Sequence, residues 1–246
     1  MSYEEQVEYL YEDRHILVCR KPAGLAVQSA GLGTMDLESL LMNHLAEEEE
    51  QAQKGRLPYL AVIHRLDQPV EGILVFAKSQ AAAASLGKQV QDGRMKKEYL
   101  ALVEPDAEGL TLLAGLGTDR ERCLEDWLVK DAKAHLSRVA RAGEKNAKKA
   151  VLYFSCLPED GWSAVPSAKD AGQALLRIRL VTGRHHQIRV QLSHAGLPIA
   201  GDRKYGGREG KSAAPPFVCL SACQLSFFHP ATGKPLSFRM KPSFLV

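Results

Sequence analysis

The stretch His64-Arg65-Leu66-Asp67-Gln68-Pro69-Val70-Glu71-Gly72-Ile73-Leu74-Val75-Phe76-Ala77-Lys78 sets three ionisable side chains between the apolar Ala61-Val62-Ile63 and a loop punctuated by proline and glycine. After the loop, ILVFAK is a continuous β-prone run suited to a buried strand, so the polar cluster sits between two core segments. Ionisable groups are costly next to a core unless something pairs with them. A carboxylate held near a guanidinium stays ionised, which suits Asp67 to act as a nucleophile or a base, and the basic segment Arg184 to Arg189 is a candidate source of that partner. Taken alone, the tetrapeptide HRLD reads more readily as a turn-capping aspartate with a structural arginine.

Downstream, SQAAAASLGKQVQDG predicts a helix that ends at Gly93, and EYLALVE returns to strand character. Upstream, Tyr11 to Val27 reads as two short strands, HILVC and LAVQS, around a KPAG turn in which Pro22 fixes φ and Gly24 permits a tight reversal. From Thr34, leucines at 37, 40, 41 and 45 recur at helical spacing, and Glu47 to Glu50 read as a solvated helix end or loop. The region from Pro105 to Glu144 is less regular, with DWLVKD suggesting a hairpin or insertion that has a basic side.

Farther on, AVLYFSCL and ALLRIRLV have strand character and precede TGRHHQIRVQLSHAG. There Thr182 is suited to cap a helix carrying Ile188, Leu192 and Ala195 on one face and ending at Gly196. Finally FVCLSACQLSFFHPATGKPLSFRM reads as two strands around a PATGKP turn. No internal repeat, low-complexity tract or interdomain linker is visible.

Composition narrows the class. The chain has 246 residues, 45% hydrophobic and 25% charged, enough to bury a core as one domain. No run approaches the roughly 20 apolar residues of a membrane helix, and the start MSYEEQVEYLYEDRH is acidic where a signal peptide is basic and then apolar, so a soluble, cytoplasmic protein is expected. Five cysteines, Cys19, Cys123, Cys156, Cys219 and Cys223, form an odd set without CxxC pairs, which speaks for buried free thiols rather than a disulfide framework or zinc ribbon. His185, His186 and His194 lack a metal-ligand pattern. A net charge of +3 is compatible with nucleic acid but too mild to identify it.

HRLDQPVEGILVFAK, then KKEYLALV, then TGRHHQIRVQLSHAGLPIAGDRKYGG, then HPATGKPLSF, in that order, resemble the RluA-like family of RNA pseudouridine synthases along nearly the whole chain. The resemblance implies an α+β catalytic fold, a long, mixed and mostly antiparallel sheet around a central cleft with flanking helices. It also implies one catalytic domain over residues 1–246, without an N-terminal S4 module, because the pattern YEDRHILVCRKPAG begins almost at once. Asp67 matches the family's catalytic aspartate. Tyr99 matches the tyrosine that packs against the target base, and Arg189 the arginine that pairs with the aspartate. Ile188 would wall the pocket, and Arg65 would enter the RNA stack where the target nucleotide has left. His64, Arg184 and His186 complete the expected substrate contacts, the start of a helix flanked by arginines being a natural phosphate seat. One departure stands out: the family usually has Thr-Ser before the glycine, where this chain has Val70-Glu71, and a carboxylate near RNA is unfavourable unless it is paired or points away.

The implied reaction breaks the N1–C1′ bond of a uridine, rotates the base and joins C5 to C1′, which needs neither metal nor redox cofactor. Attack on C1′, elimination to a glycal and addition at C6 all remain open for Asp67. Tyr99 stacks, and an unperturbed phenol is a poor base near neutral pH. The expected partner is structured RNA, transfer or ribosomal, with no membrane and no protein partner, the chain acting as a monomer. Arg20-Lys21, Arg203-Lys204 and Lys145 to Lys149 are candidate phosphate contacts. Two other readings stand beside this one: a non-catalytic RNA-binding protein that uses the same fold, and a carboxylate-based glycosidase acting on free nucleosides.

Overall fold

In a computed structural model of the chain, the described residues are 6–29, 35–51, 58–115, 120–131, 133–157, 172–206 and 217–245. They form two units, one from Met1–Lys97 with Ala222–Met240 and the other from Glu98–Ser221 with Lys241–Val246. The architecture is α+β, and every strand pair with a defined register is antiparallel.

In the first unit, strands β1 (Glu8–Glu12), β2 (Ile16–Lys21), β3 (Ala61–Val62) and β4 (Glu71–Ala77) are joined by part of β10 (Leu220–Phe228) and by β11 (Pro235–Arg239). The strand order is β1-β2-β4-β10, with β3 on β4 and β11 on β10. All seven residues of β4 are buried, as its uninterrupted apolar run predicts. Helix α1 (Leu37–Gln51) buries Leu37, Leu40, Leu41 and Leu45, the stripe visible in the sequence. Helix α2 (Gln80–Gln91) starts at Ser79, whose side chain accepts from the Ala82 N–H, and Gly93 at φ +65° follows its end. The α2 side chain of Gln89 both donates to and accepts from the backbone of Phe228 at 2.8 Å, tying the helix to the end of β10. Ile16, Val18, Ile73, Val75, Leu86, Leu225 and Phe227 make the core between these elements.

The N-terminal hairpin is displaced from its expected position. The partner of β2 is β1, not LAVQS, which is not a strand. The backbone carbonyls of Ala26 and Val27 instead accept from the N–H groups of Leu37 and Glu38, closing the start of α1. The reversal between β1 and β2 is made by Asp13, whose carboxylate accepts from the N–H groups of His15 and Ile16 at 2.7 and 2.9 Å.

In the second unit, β5 (Lys96–Val103, entering from the first unit), β6 (Arg122–Asp131), β7 (Leu136–Ala140), β8 (Lys148–Cys156) and β9 (Ala174–Leu180) run in the order β5-β9-β8-β6-β7. The basic hairpin read from DWLVKD is β6-β7. The stretch after Pro105, which lacked a clear pattern, is helix α3 (Ala107–Ala114), started by Asp106, whose carboxylate accepts from the Gly109 N–H. Helix α4 (Gln187–His194) begins five residues after Thr182, so Thr182 does not cap it. Its hydroxyl donates instead to the Gln187 side chain and accepts from the Val151 N–H of β8.

All five cysteines are free thiols, as expected, but only Cys19, Cys219 and Cys223 are buried; Cys123 is exposed and Cys156 half-buried. Among the described residues no helix is long and apolar enough to cross a membrane.

Candidate functional site

Asp67 lies in the loop that joins β3 to β4, half-buried, and the loop is built around it by its neighbours. Its carbonyl accepts from the Val70 N–H at 3.0 Å, closing a turn over Pro69. Gln68 pairs with Gly24 twice: the Gly24 N–H donates to the Gln68 carbonyl, and the Gln68 amide donates to the Gly24 carbonyl. Gly24 adopts φ +90°, a conformation glycine takes at no steric cost.

Beneath both segments lies Lys21, 0% exposed. Its ammonium donates to the carbonyls of Pro22, Leu25 and Gln68 at 2.9, 2.7 and 3.1 Å, which satisfies all three of its hydrogens. One buried cation thus fixes the KPAG turn and the Asp67 loop to each other. Burial pulls the Lys21 pKa down to about 7, against the upward pull of the Asp67 and Glu71 carboxylates. Lys21 is therefore unavailable as a phosphate contact, a correction to the reading of the Arg20-Lys21 pair. Arg20 donates to Glu71 at 3.1 Å and lies 3.7 Å from Glu8. Glu71, with a side chain 3% exposed, is thereby paired inside the protein rather than presented to a polyanion.

His64 places its ring against β4: Nε2 accepts a long, 3.5 Å hydrogen bond from the Val75 N–H, and Nδ1 is buried without a partner among the described residues. Burial and then the charge of Lys97 push the His64 pKa well below its usual range, so the ring is neutral. Arg65 is exposed.

The remaining expected site residues belong to the second unit. Tyr99 is on β5 opposite Ile178 of β9 and only 6% exposed. The segment from Thr182 to α4 gathers Arg184, His186, Ile188 and Arg189. It is pinned by two glutamines one helical turn apart. Gln187 accepts from Thr182 and from the Arg184 N–H and donates to the Val151 carbonyl and to Gln191; Gln191 donates to Asp126. Six consecutive residues, Gln187 to Leu192, are buried. Arg184 is exposed and donates to the Lys149 carbonyl. Ile188 is buried.

His186 precedes α4 in the left-handed region, φ +52°, where a non-glycine residue needs support from its surroundings. That support is visible. Its ring stacks on His185 at 3.8 Å between centroids, and Nδ1 lies 2.7 Å from the Tyr205 hydroxyl. That hydroxyl also accepts from the Ser137 N–H, which ties the turn before α4 to β7.

Arg189 is buried, and Asp202 accepts from its Nε and Nη2 at 2.7 and 2.8 Å, a two-point grip. Its guanidinium also stands 5.0 Å over the Tyr205 ring. The sequence does not single out Asp202 or Tyr205, and it marks Lys21 only as a candidate phosphate contact. Their only signal was position inside KPAG and GDRKY, where Asp202 is followed by exposed Arg203 and Lys204.

With this geometry in hand, comparison with known proteins is informative. A family model described as RNA pseudouridylate synthase matches residues 15–194. The ribosomal large subunit pseudouridine synthase C of Salmonella typhimurium is 33% identical over 232 residues, covering 92% of this chain and 63% of that protein. The ribosomal large subunit pseudouridine synthase D of Nitrosomonas europaea is 31% identical over 234 residues, 93% of this chain and 60% of its own. The chain thus spans less than two thirds of the length of these curated relatives. The solved structure titled human RNA pseudouridylate synthase domain containing 1 covers 100% of this chain and 87% of its own, with a TM-score of 0.70 at 20% identity, a likeness of fold.

Proposed function

The chain belongs to the RluA-like RNA pseudouridylate synthase family, and from that membership we propose that it isomerises uridine to pseudouridine in RNA with Asp67 as the catalytic carboxylate. Ribosomal RNA is the favoured substrate class, because the relatives named above act on the large ribosomal subunit by their names. The observation that carries the reading is the setting of Asp67: an aspartate at the family's position, in a loop whose backbone is clamped by the buried ammonium of Lys21.

Each side chain then has a task. A stacked uridine exposes neither C1′ nor the ring face, so the nucleotide must leave the stack; Arg65, exposed next to the loop, fills the gap. Tyr99 stacks on the extruded base and Ile188 walls the pocket. Arg189, oriented by Asp202, is assigned as the counter-ion of Asp67 as it meets C1′ or C6. His64, Arg184 and His186 contact the RNA strand. The chain works as a monomer in the cytoplasm.

The decisive experiment uses purified protein and a ribosomal RNA fragment, with pseudouridine read by carbodiimide-dependent primer extension. Asp67→Ala is expected to abolish pseudouridine formation while RNA binding stays within several-fold. An unchanged yield from the variant refutes the assignment. The same mapping on total RNA, with and without the protein, identifies the uridine.

A further inference from the structure

We infer that Lys97, with His64 behind it, is a seat for one phosphate of the bound RNA strand. The inference deepens the proposed function and rests on RNA being the substrate.

It comes from an unbalanced inventory of donors in the first unit. Because the Val75 N–H points into Nε2 of His64, the hydrogen of the neutral ring is on Nδ1, and that atom is buried with no acceptor among the described residues. The group electrostatically coupled to this ring is the Lys97 ammonium, which brings three more hydrogens and no lone pair. Lys97 is half-buried and, among the described residues, has neither a hydrogen-bond acceptor nor a carboxylate partner. Burial brings its pKa down to about 8, as expected of an ammonium withdrawn from water without a counter-ion.

Other withdrawn lysines of this unit are balanced: Lys21 has three carbonyls, and Lys78 has the Glu12 carboxylate. Two coupled donors without an acceptor among the described residues point to a group supplied from outside. A base carbonyl would satisfy a hydrogen bond but not the charge; a phosphate oxygen does both. Of the chain neighbours of the pair, Arg65 and Lys96 are exposed cations with no acidic partner among the described residues, while Glu98 lies 4.0 Å from Arg177. In the chain His64 is three residues before Asp67, and Lys97 two before Tyr99. A phosphate held there belongs to a nucleotide close to the one being flipped.

The test is fluorescence anisotropy of a labelled ribosomal RNA fragment across a KCl series, for the unaltered chain and for Lys97→Gln, Lys97→Met and Lys97→Arg, with Tm and pseudouridine kcat measured alongside. Loss of one phosphate contact is expected to weaken binding by about tenfold at low salt and to flatten the slope of log K against log[KCl] by about 0.7 to 0.9. Lys97→Arg keeps the slope, and kcat at saturating RNA changes far less than binding. Because the free protein carries an uncompensated cation, Lys97→Met is also expected to raise Tm. An unaltered slope in the neutral variants overturns the inference while leaving the proposed function intact. So does a fall in Tm or a failure to fold in both, which would reveal an internal partner. Absence of RNA binding by the unaltered chain overturns the proposed function, and this seat with it.

Discussion

The Glu71 carboxylate accepts a hydrogen bond from Arg20 at 3.1 Å across the antiparallel pair β2-β4, and this contact explains how an acidic residue is tolerated beside a loop proposed to meet RNA. Removing Arg20 leaves a nearly buried carboxylate without its guanidinium, whereas Glu71→Gln removes the charge itself. Arg20→Ala is therefore expected to cost about 3 kcal/mol, and Glu71→Gln about 1 kcal/mol, since Arg20 is partly exposed and keeps Glu8 as a neighbour. Urea unfolding of both variants and of the double variant measures this; equal costs, or strict additivity, would contradict the pairing.

Gly72, the next residue, has φ +148°, and a Cβ built on it would lie 2.5 Å from the Ala222 Cβ and 2.7 and 2.8 Å from the Ala222 N and O. Two of the three obstacles are backbone, so no side-chain movement relieves them. Gly72→Ala is expected to destabilise the chain by about 3 kcal/mol or more, and Ala222→Gly added to it is expected to restore little. A full rescue in the double variant would mean that the side chain alone set the limit.

Much of this was legible in the sequence because the signals were local. The leucine stripe of α1, the apolar run of β4 and the end of α2 before Gly93 each report a local preference, and each stands where the sequence puts it. The error at LAVQS has a tertiary cause: Ala26 and Val27 have strand propensity, but their carbonyls are taken by the first turn of α1, while the acidic Glu8–Glu12 pairs with β2. Thr182 was misread for a similar reason. Its hydroxyl serves a glutamine side chain and β8, and His186, in a left-handed conformation that no propensity rule suggests, precedes the helix. Within the candidate site, Asp67 stood out because charged residues interrupt an apolar stretch. Asp202 did not, and Lys21 reads as a phosphate contact, because nothing local distinguishes a lysine that will be buried under three carbonyls, or an aspartate that will grip an arginine 13 residues away.

The Asp202–Arg189 grip leads to a separate expectation. Both side chains are almost fully buried, so Asp202→Ala removes the two-point acceptor of the Arg189 guanidinium inside the protein and is expected to cost about 3 to 5 kcal/mol. Replacing both, Asp202→Ala with Arg189→Met, removes the buried guanidinium as well and is expected to recover much of that stability while leaving pseudouridine formation lost. If Arg189 serves only to hold Asp202 in the core, the double variant would instead regain activity together with stability. Chemical denaturation and primer extension on the same preparations separate the two outcomes.

Stability should also vary with pH in a direction fixed by the buried lysines. Lys21 has its pKa lowered from 10.5 to about 7 and Lys97 from 10.5 to about 8, both chiefly through burial. Between pH 7 and pH 9 the folded chain therefore gives up protons that the unfolded chain keeps, and the unfolded state binding more protons means that stability rises with pH. His64 acts in the same sense at lower pH, since burial keeps it neutral when folded while the unfolded ring protonates below about 6.5. Cys19 opposes them only above pH 9, because its thiol is pushed from 9.0 up to about 12 and the unfolded thiol ionises first. Unfolding free energy from urea titrations is thus expected to climb by something on the order of 2 kcal/mol from pH 7 to pH 9 and more slowly above that, until the unfolded lysines also lose their protons. In a chain carrying Lys21→Met and Lys97→Met the climb should vanish. A flat profile in the unaltered chain would mean that both ammonium groups keep their protons throughout, with Lys21 held charged by its three carbonyls and by Asp67 and Glu71.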